Sequence, residues 1–331
     1  MESGQRGLFI SQIEFFLPEI SIDNKDLESR FGTNADLIER KTGVAVRFHV
    51  KNQLMTHMAE EAAKKIFYRT PELKKEIDAV ILVGHGFEYQ APVSAALLQH
   101  RLGLKNECMA LDLPQGCTGY INALAVCRGL LESNISKKIL LLTGDTPSFA
   151  IEKNDEELLS IFSDSGTASV IELKGCAVNQ FIQGTDGSGA ELLCVKRSGT
   201  LNRADAKWIN ETGMLYGKME MDGTAIFTFA LKTVPKMVEE VICKHNLQAS
   251  EIDYYFFHQA NSMLLEALRK KMKIPTEKFF NDIRHTGNTV SSSLPIALKQ
   301  AEKEGKLRRG MKIVLAGFGI GLSWGATVIT Y

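Results

Sequence analysis

The segment Leu111-Asp-Leu-Pro-Gln-Gly-Cys117-Thr-Gly-Tyr-Ile-Asn-Ala-Leu124 sets one thiol between glycines, after an apolar run and just ahead of a helical pattern. A thiol at a helix N-terminus faces unpaired N–H groups and the positive end of the helix dipole, and both favour the thiolate. A thiolate in that setting attacks thioester and ester carbonyls. Two later segments carry polar partners for it, Phe257-His258-Gln-Ala-Asn261 and Thr286-Gly-Asn288-Thr289. An isolated histidine is usually a structural hydrogen-bonder. His258, however, follows Tyr254-Tyr-Phe-Phe257 and so ends a buried strand, where α/β sites gather. The other histidines are read as structural, including His285, which lies nearest Asn288 in sequence. Cysteines 108, 127, 176, 194 and 243 lack the setting of Cys117 and are read as small buried hydrophobes.

The elements that must position these residues come twice. Glu76-Ile-Asp-Ala-Val-Ile-Leu-Val-Gly84 and Glu251-Ile-Asp-Tyr-Tyr-Phe-Phe257 both read as buried strands, followed by helices over 93–102 and 263–272. Lys138-Ile-Leu-Leu-Leu-Thr143 is matched by Lys312-Ile-Val-Leu-Ala316, and Gly166-Thr-Ala-Ser-Val-Ile171 by Gly325-Ala-Thr-Val-Ile329. A repeat this long is a duplicated domain, and strands alternating with helices imply βαβ units around buried sheets. The helix after Cys117 is apolar nearly all round, which predicts a central, buried position. The helix after Asn288 has the same character, with Pro295 suiting a first helical turn. Two such helices, starting at Cys117 and Asn288, bring both side chains to a pseudo-twofold axis. The expected halves are 1–178, carrying the cysteine, and 179–331, carrying the histidine and asparagine. The polar, glycine-rich stretch 179–189 reads as their turn-prone join, and 196–221, with Trp208, as an insertion on one face.

Composition narrows the class. In 331 residues, 39 basic groups balance 39 acidic ones, so no global field argues for nucleic acid or an anionic membrane. Apolar content of 44% suits a globular core, and no uninterrupted apolar run approaches a bilayer span. Met1 to Gly7 has no apolar signal core, so a cytoplasmic location is expected, with no membrane insertion. The cysteines form no C-x-x-C pair, which argues against a zinc knuckle or a disulfide framework. Gly317-Phe-Gly-Ile-Gly321 lacks the βαβ unit that a dinucleotide fingerprint needs downstream.

Taken in order, a further set of motifs covers nearly the whole chain: Phe16-Leu-Pro-Glu19, Lys41-Thr-Gly-Val44, Gly116-Cys-Thr-Gly119, Ser163-Asp-Ser-Gly166, Asp186-Gly-Ser188, Met221-Asp-Gly223, His258-Gln-Ala-Asn261, Gly287-Asn-Thr289 and Gly317-Phe-Gly-Ile-Gly-Leu-Ser-Trp-Gly325. In these the chain resembles the ketoacyl-ACP synthase III family of the thiolase superfamily. The resemblance implies an α/β thiolase fold, with duplicated βαβαβαββ halves packed as a five-layered α-β-α-β-α core. It implies a Cys117/His258/Asn288 active site and an oxyanion hole from the backbone N–H groups of Cys117 and Ile320. The implied reaction is a decarboxylative Claisen condensation. An acyl group rides on the cysteine, and a neutral histidine and an amide donate hydrogen bonds to the enolate formed from malonyl-ACP. Acyl-CoA or acyl-ACP and malonyl-ACP are then the substrates. Acyl carrier protein is the partner, no metal or redox cofactor is required, and a homodimer is expected.

Departures from the family pattern bear on the substrate. Leu37 stands where the family carries a tryptophan that stacks on the coenzyme A adenine, and Lys41 stands for an arginine. Met263 occupies the place of a carrier-binding arginine, leaving Arg269, Lys270 and Lys271 as the basic spot for carrier docking. Ala91, before Pro92, replaces a bulky acyl gate and favours a longer or branched acyl group. Leu37, Lys41, Ala91 and Phe318 are expected along the substrate channel, and Ile320 replaces a glycine there. Three alternatives remain. One is an acyltransferase to an alcohol or amine, with His258 as general base. Another is a cysteine hydrolase of papain-like chain order, for which the C-G-S-C-W context is missing. The third is a non-catalytic partner subunit, against which all three catalytic positions are filled.

Overall fold

The computed structural model describes residues 6–175, 179–198 and 217–331. Its strands are β1 (Gly7–Phe16), β2 (Ile20–Asp23), β3 (Val46–His49), β4 (Ala79–Val83), β5 (Met109–Leu113), β6 (Lys138–Asp145), β7 (Ser165–Lys174), β8 (Phe181–Thr185), β9 (Leu193–Lys196), β10 (Lys218–Met221), β11 (Tyr254–Phe257), β12 (Phe279–Phe280), β13 (Lys312–Gly319) and β14 (Ser323–Thr330). Two five-stranded sheets share one plan, β1-β7-β6-β4-β5 and β8-β14-β13-β11-β12. In each, the first two pairings are antiparallel and the last two parallel. The duplication read from the sequence is therefore a duplicated sheet.

Crossover handedness explains why the helix after Cys117 is central. From β4 the chain steps outward to β5 through Ser94–Arg101, then back past β4 to β6 through Gly119–Glu132. Right-handed crossovers in opposite directions lie on opposite faces of a sheet. Ser94–Arg101 accordingly packs Ala95 and Leu98 on the outer face, while Gly119–Glu132 packs Ile121 and Leu124 on the inner one. In the second half Ser262–Lys271 takes the outer face and Ser293–Lys303 the inner one. Strand alternation serves both faces: Ala79, Ile81 and Val83 point to the centre, Val80 and Leu82 outward. Sheets covered on both sides need continuous apolar strands, which is why β4 and β11 have them. The long helices Met55–Arg69 and Gly223–Lys244 complete the two outer layers. The five layers run helix, sheet, paired central helices, sheet, helix.

Several details differ from expectation. The central helices begin at Gly119 and Ser293, not at Cys117 and Asn288. In the second half a 3₁₀ turn, Val290–Ser292, intervenes because Val290 is held at φ +52°, a conformation that interrupts a right-handed helix. The stretch 179–189 is not only a join. It supplies β8, an edge strand of the second sheet, and a sheet edge tolerates its polar residues. Cys243 is exposed and Cys194 half-buried, so neither is the buried hydrophobe expected. The proposed 178/179 boundary abuts undescribed residues, and Cys176 and Trp208 lie outside the described ones. The flanks of the expected insertion, β9 and β10, pair as an antiparallel ribbon. Gly317-Phe-Gly-Ile-Gly321 ends β13 and turns into β14, with no following helix. Among the described residues no helix is long and apolar enough to cross a membrane.

Candidate active site

Cys117 leaves β5 through Pro114-Gln-Gly116 and sits two residues before the central helix. The sulfur lies against the end of β13. A Cβ on Gly319 would come within 2.9 Å of both Cβ and Sγ of Cys117, and Gly319 itself has φ +149°. Glycine is therefore required here for conformation and for space. The backbone N–H groups of Ile320 and of Cys117 itself are directed at the sulfur and favour its ionised form. Burial outweighs them, and with the nearby Asp145 carboxylate it pushes the thiol up to about 12. Burial therefore favours the thiol over the thiolate that a helix N-terminus by itself would favour.

His258 follows β11 directly, and its backbone N–H donates to Ala316 O at 2.8 Å. The ring is fully buried, stands edge-on to Phe318 with centroids 5.8 Å apart, and holds Ser293 Oγ at 2.7 Å on Nδ1. Burial pulls its proton affinity down to about 3, although the Val290 carbonyl acts in the opposite sense. His258 is a neutral imidazole throughout the physiological range.

Asn288 is fixed by both its backbone and its side chain. Its N–H donates to Ile161 O at 2.8 Å and its carbonyl accepts from Ser163 N at 3.0 Å. The side-chain oxygen accepts from Val290 N at 3.0 Å, which assigns the other end as the NH₂ group. One of the two amide hydrogens goes to Ala260 O at 3.3 Å, leaving the other to donate. Val290 is β-branched at positive φ, a strain of about 1–3 kcal/mol that marks many active sites.

Cys117, His258, Asn288 and Phe318 line one cavity of about 60 Å³. It shares Ile161, Met221, Gly223, Phe227 and Asn261 with a groove of about 700 Å³ that also reaches Lys41, Glu156, Glu157 and Met263. On its other side Cys117 borders a cavity of about 530 Å³ whose wall is largely apolar, including Phe162, Leu193, Met219 and Ile320. Substrate can thus approach the sulfur from two directions.

The remaining sequence-predicted residues divide. Lys41 lines the groove and Phe318 the inner cavity, as expected. Leu37 is half-buried on the same helix as Lys41, but its neighbours Thr33 and Ile38, not Leu37 itself, line the groove. Ala91 is exposed and borders none of these cavities within the chain. Arg269, Lys270 and Lys271 lie in the last turn of Ser262–Lys271. Glu266 engages both Arg269, at 2.6 and 2.7 Å, and Lys270, at 3.4 Å, so the spot is partly neutralised. His285 is exposed on the short helix Ile283–Thr286, away from the cavity-lining residues.

Comparison with known proteins matches the 3-oxoacyl-[acyl-carrier-protein (ACP)] synthase III family over residues 111–187 and its C-terminal part over 242–331. The β-ketoacyl-[acyl-carrier-protein] synthase III of Clostridium tetani is 32% identical over 321 residues, 96% of this chain and 96% of that protein. The chain belongs to the 3-oxoacyl-ACP synthase III family. The synthase III of Fusobacterium nucleatum is likewise 32% identical over 325 residues, 97% of this chain and 98% of its own. A crystal structure of a 3-oxoacyl-(acyl-carrier-protein) synthase III superimposes with a TM-score of 0.91 at 34% identity, covering 98% of this chain and all of that one.

Within this synthase III chain, sequence reasoning missed the residues that hold the site. Ser293 orients His258, the strained Val290 fixes Asn288, and Asp145 acts on Cys117. The run Val290-Ser-Ser-Ser293, polar where a buried helix begins, was the available signal for the first two. His85 was read as structural, yet it lines the larger cavity beside Cys117. Its signal was Gly84-His-Gly86 at the end of a buried strand, the same address as His258.

Proposed function

We propose that this protein condenses an acyl group held on Cys117 with malonyl-ACP, releasing carbon dioxide and a 3-oxoacyl-ACP. The observation that carries the residue roles is the shared cavity: a sulfur with two backbone N–H groups aimed at it faces a neutral imidazole and an oriented amide. In acyl transfer, the N–H groups of Cys117 and Ile320 stabilise the oxyanion. In the second half-reaction, His258 and the NH₂ of Asn288 donate to the thioester oxygen as decarboxylation places charge on it. Each donor contributes about 3–4 kcal/mol to its transition state. The role requires the imidazole proton on Nε2, the tautomer set when the Ser293 hydroxyl donates to Nδ1. A ring with proton affinity near 3 is a poor general base at neutral pH, which disfavours transfer to an alcohol or amine with His258 as base.

The larger cavity takes the acyl chain, and its volume suits a chain of several carbons better than acetyl. Leu37 stands in place of the ring that would stack on the coenzyme A adenine and does not line the groove, which favours a primer delivered on acyl carrier protein. Exposed Lys270 and Lys271 provide carrier contacts, weakened by Glu266. The enzyme works as a homodimer, supported by Tyr89 and Val93, which expose apolar side chains beside Ala91-Pro92. It needs no metal or redox group and acts in the cytoplasm. The test is to incubate the protein with matched acyl-CoA and acyl-ACP panels, weigh the Cys117 adduct, and then add malonyl-ACP and measure carbon dioxide. An adduct formed faster from acyl-ACP, followed by stoichiometric carbon dioxide, is expected. An adduct that never yields carbon dioxide contradicts the condensation.

A further inference from the structure

The resting thiol of Cys117 needs somewhere to send its proton during loading, and His258 is poorly placed to take it. Its Nδ1 is engaged by Ser293, and burial keeps the ring from holding a second proton. The larger cavity holds a second imidazole. His85 lies just beyond β4 with its side chain 41% exposed, in a cavity that Cys117 also lines. Its ring packs on the residue bonded to the nucleophile. A Cβ on Gly116 would come within 2.7 Å of His85 Cε1, so glycine there lets the imidazole sit against the Cys117 loop. Behind the ring is buried Asp145. Its Oδ2 is committed to the N–H of Ser291 at 3.1 Å and the Ser291 hydroxyl at 2.5 Å. Its Oδ1 accepts the His85 backbone N–H at 3.1 Å and lies 3.4 Å from Nδ1. With the carboxylate on the Nδ1 side of the ring, the neutral tautomer protonated at Nδ1 leaves Nε2 free to accept a proton. Among the described residues lining this cavity, the titratable ones are His85, Asp145, Cys117 and Cys194, with no lysine, arginine or glutamate.

We propose that His85, oriented by Asp145, accepts the Cys117 proton during acyl loading, directly or through one water. The inference rests on the loading step proposed above. The S–H bond breaks as sulfur attacks the thioester carbonyl carbon, and the proton passes to His85 Nε2. Collapse of the tetrahedral intermediate then breaks the bond to the donor sulfur, which leaves with the proton returned by His85 as a free thiol. No oxidant or further reactant is needed. Asp145 is a positioning residue, acting through His85.

The test is single-turnover loading from a butyryl pantetheine thioester, followed by intact-protein mass between pH 5 and 9. Wild type is expected to load with a rate that rises less than tenfold per pH unit across this range, because a side chain and not hydroxide takes the thiol proton. His85→Gln is expected to load about 100-fold more slowly at pH 7, with a rate that rises about tenfold per pH unit. Asp145→Asn should show a smaller loss of loading rate, and malonyl-thioester decarboxylation should be unchanged in His85→Gln. Equal loading rates and profiles in wild type and His85→Gln overturn the proposal while leaving the condensation intact. Failure of wild type to form any Cys117 adduct overturns both. Should His85→Gln not fold, the wild-type profile decides, because a loading rate that rises about tenfold per pH unit from pH 5 to 9, as for direct attack by a thiolate formed by hydroxide, overturns the role.

Discussion

The carboxyl ends of β4 and β11 are the same address in two copies of one fold. Each strand is flanked by parallel neighbours and each is followed by a histidine, His85 or His258. Their surroundings differ. His258 is buried against a serine hydroxyl and an aromatic edge. His85 is partly exposed and faces a fixed carboxylate. The two rings stand two positions apart in the repeat, His258 matching Val83 and His85 matching Ala260, and the environment of each assigns its chemistry. A dry ring with a neutral partner is a hydrogen-bond donor, and a wetter ring with an anionic partner is a proton acceptor. Cys117 stands between them, bordering both cavities.

The comparison breaks most completely at the shared sulfur. Cys117→Ala should abolish the acyl adduct from every thioester donor, and any adduct seen by intact mass in that variant would show that the acyl group rides elsewhere. Next in size is His258→Ala, the mirror of His85→Gln. It should slow malonyl-thioester decarboxylation about 100- to 1,000-fold while changing loading little, measured by carbon dioxide release and adduct mass. Loss of loading in His258→Ala would merge roles that are here kept separate. The smallest effect is on stability. The unfolded His258 takes a proton near pH 6.5 and the folded one only near 3. Between these values the unfolded state binds the extra proton, so stability falls as pH falls, by at most about 1.4 kcal/mol per pH unit. His49 and His245 are shifted downward too, while Asp164 and Asp282 are raised and oppose them. Denaturant titrations of wild type against His258→Asn isolate the one contribution: their stability difference should shrink below pH 6.5, and a flat difference would refute it.

The duplicated pattern of β4 and β11, the central apolar helices and the order of the motifs were legible because burial on both faces leaves continuous apolar runs in the sequence. His258 was legible because it ends such a run, and Cys117 and Asn288 because each follows a glycine shortly ahead of an apolar helical pattern. The edge strand β8 was hidden, since an edge needs little apolar patterning. The state of the thiol was hidden as well. A helix N-terminus favours the thiolate, but how dry the sulfur is depends on Gly319 and β13, some 200 residues along the chain. The orienting groups Ser293 and Asp145 act through contacts that only the tertiary fold creates, whereas Val290 N–H reaches Asn288 Oδ1 locally, two residues along the chain.

The account depends on Asn288 acting in one half-reaction and not the other. The direct measurement is Asn288→Ala assayed twice, for Cys117 adduct formation from an acyl thioester and for carbon dioxide release from malonyl-ACP. The prediction is loading within a few-fold of wild type and decarboxylation slowed at least about 100-fold. Equal loss of both activities would contradict it.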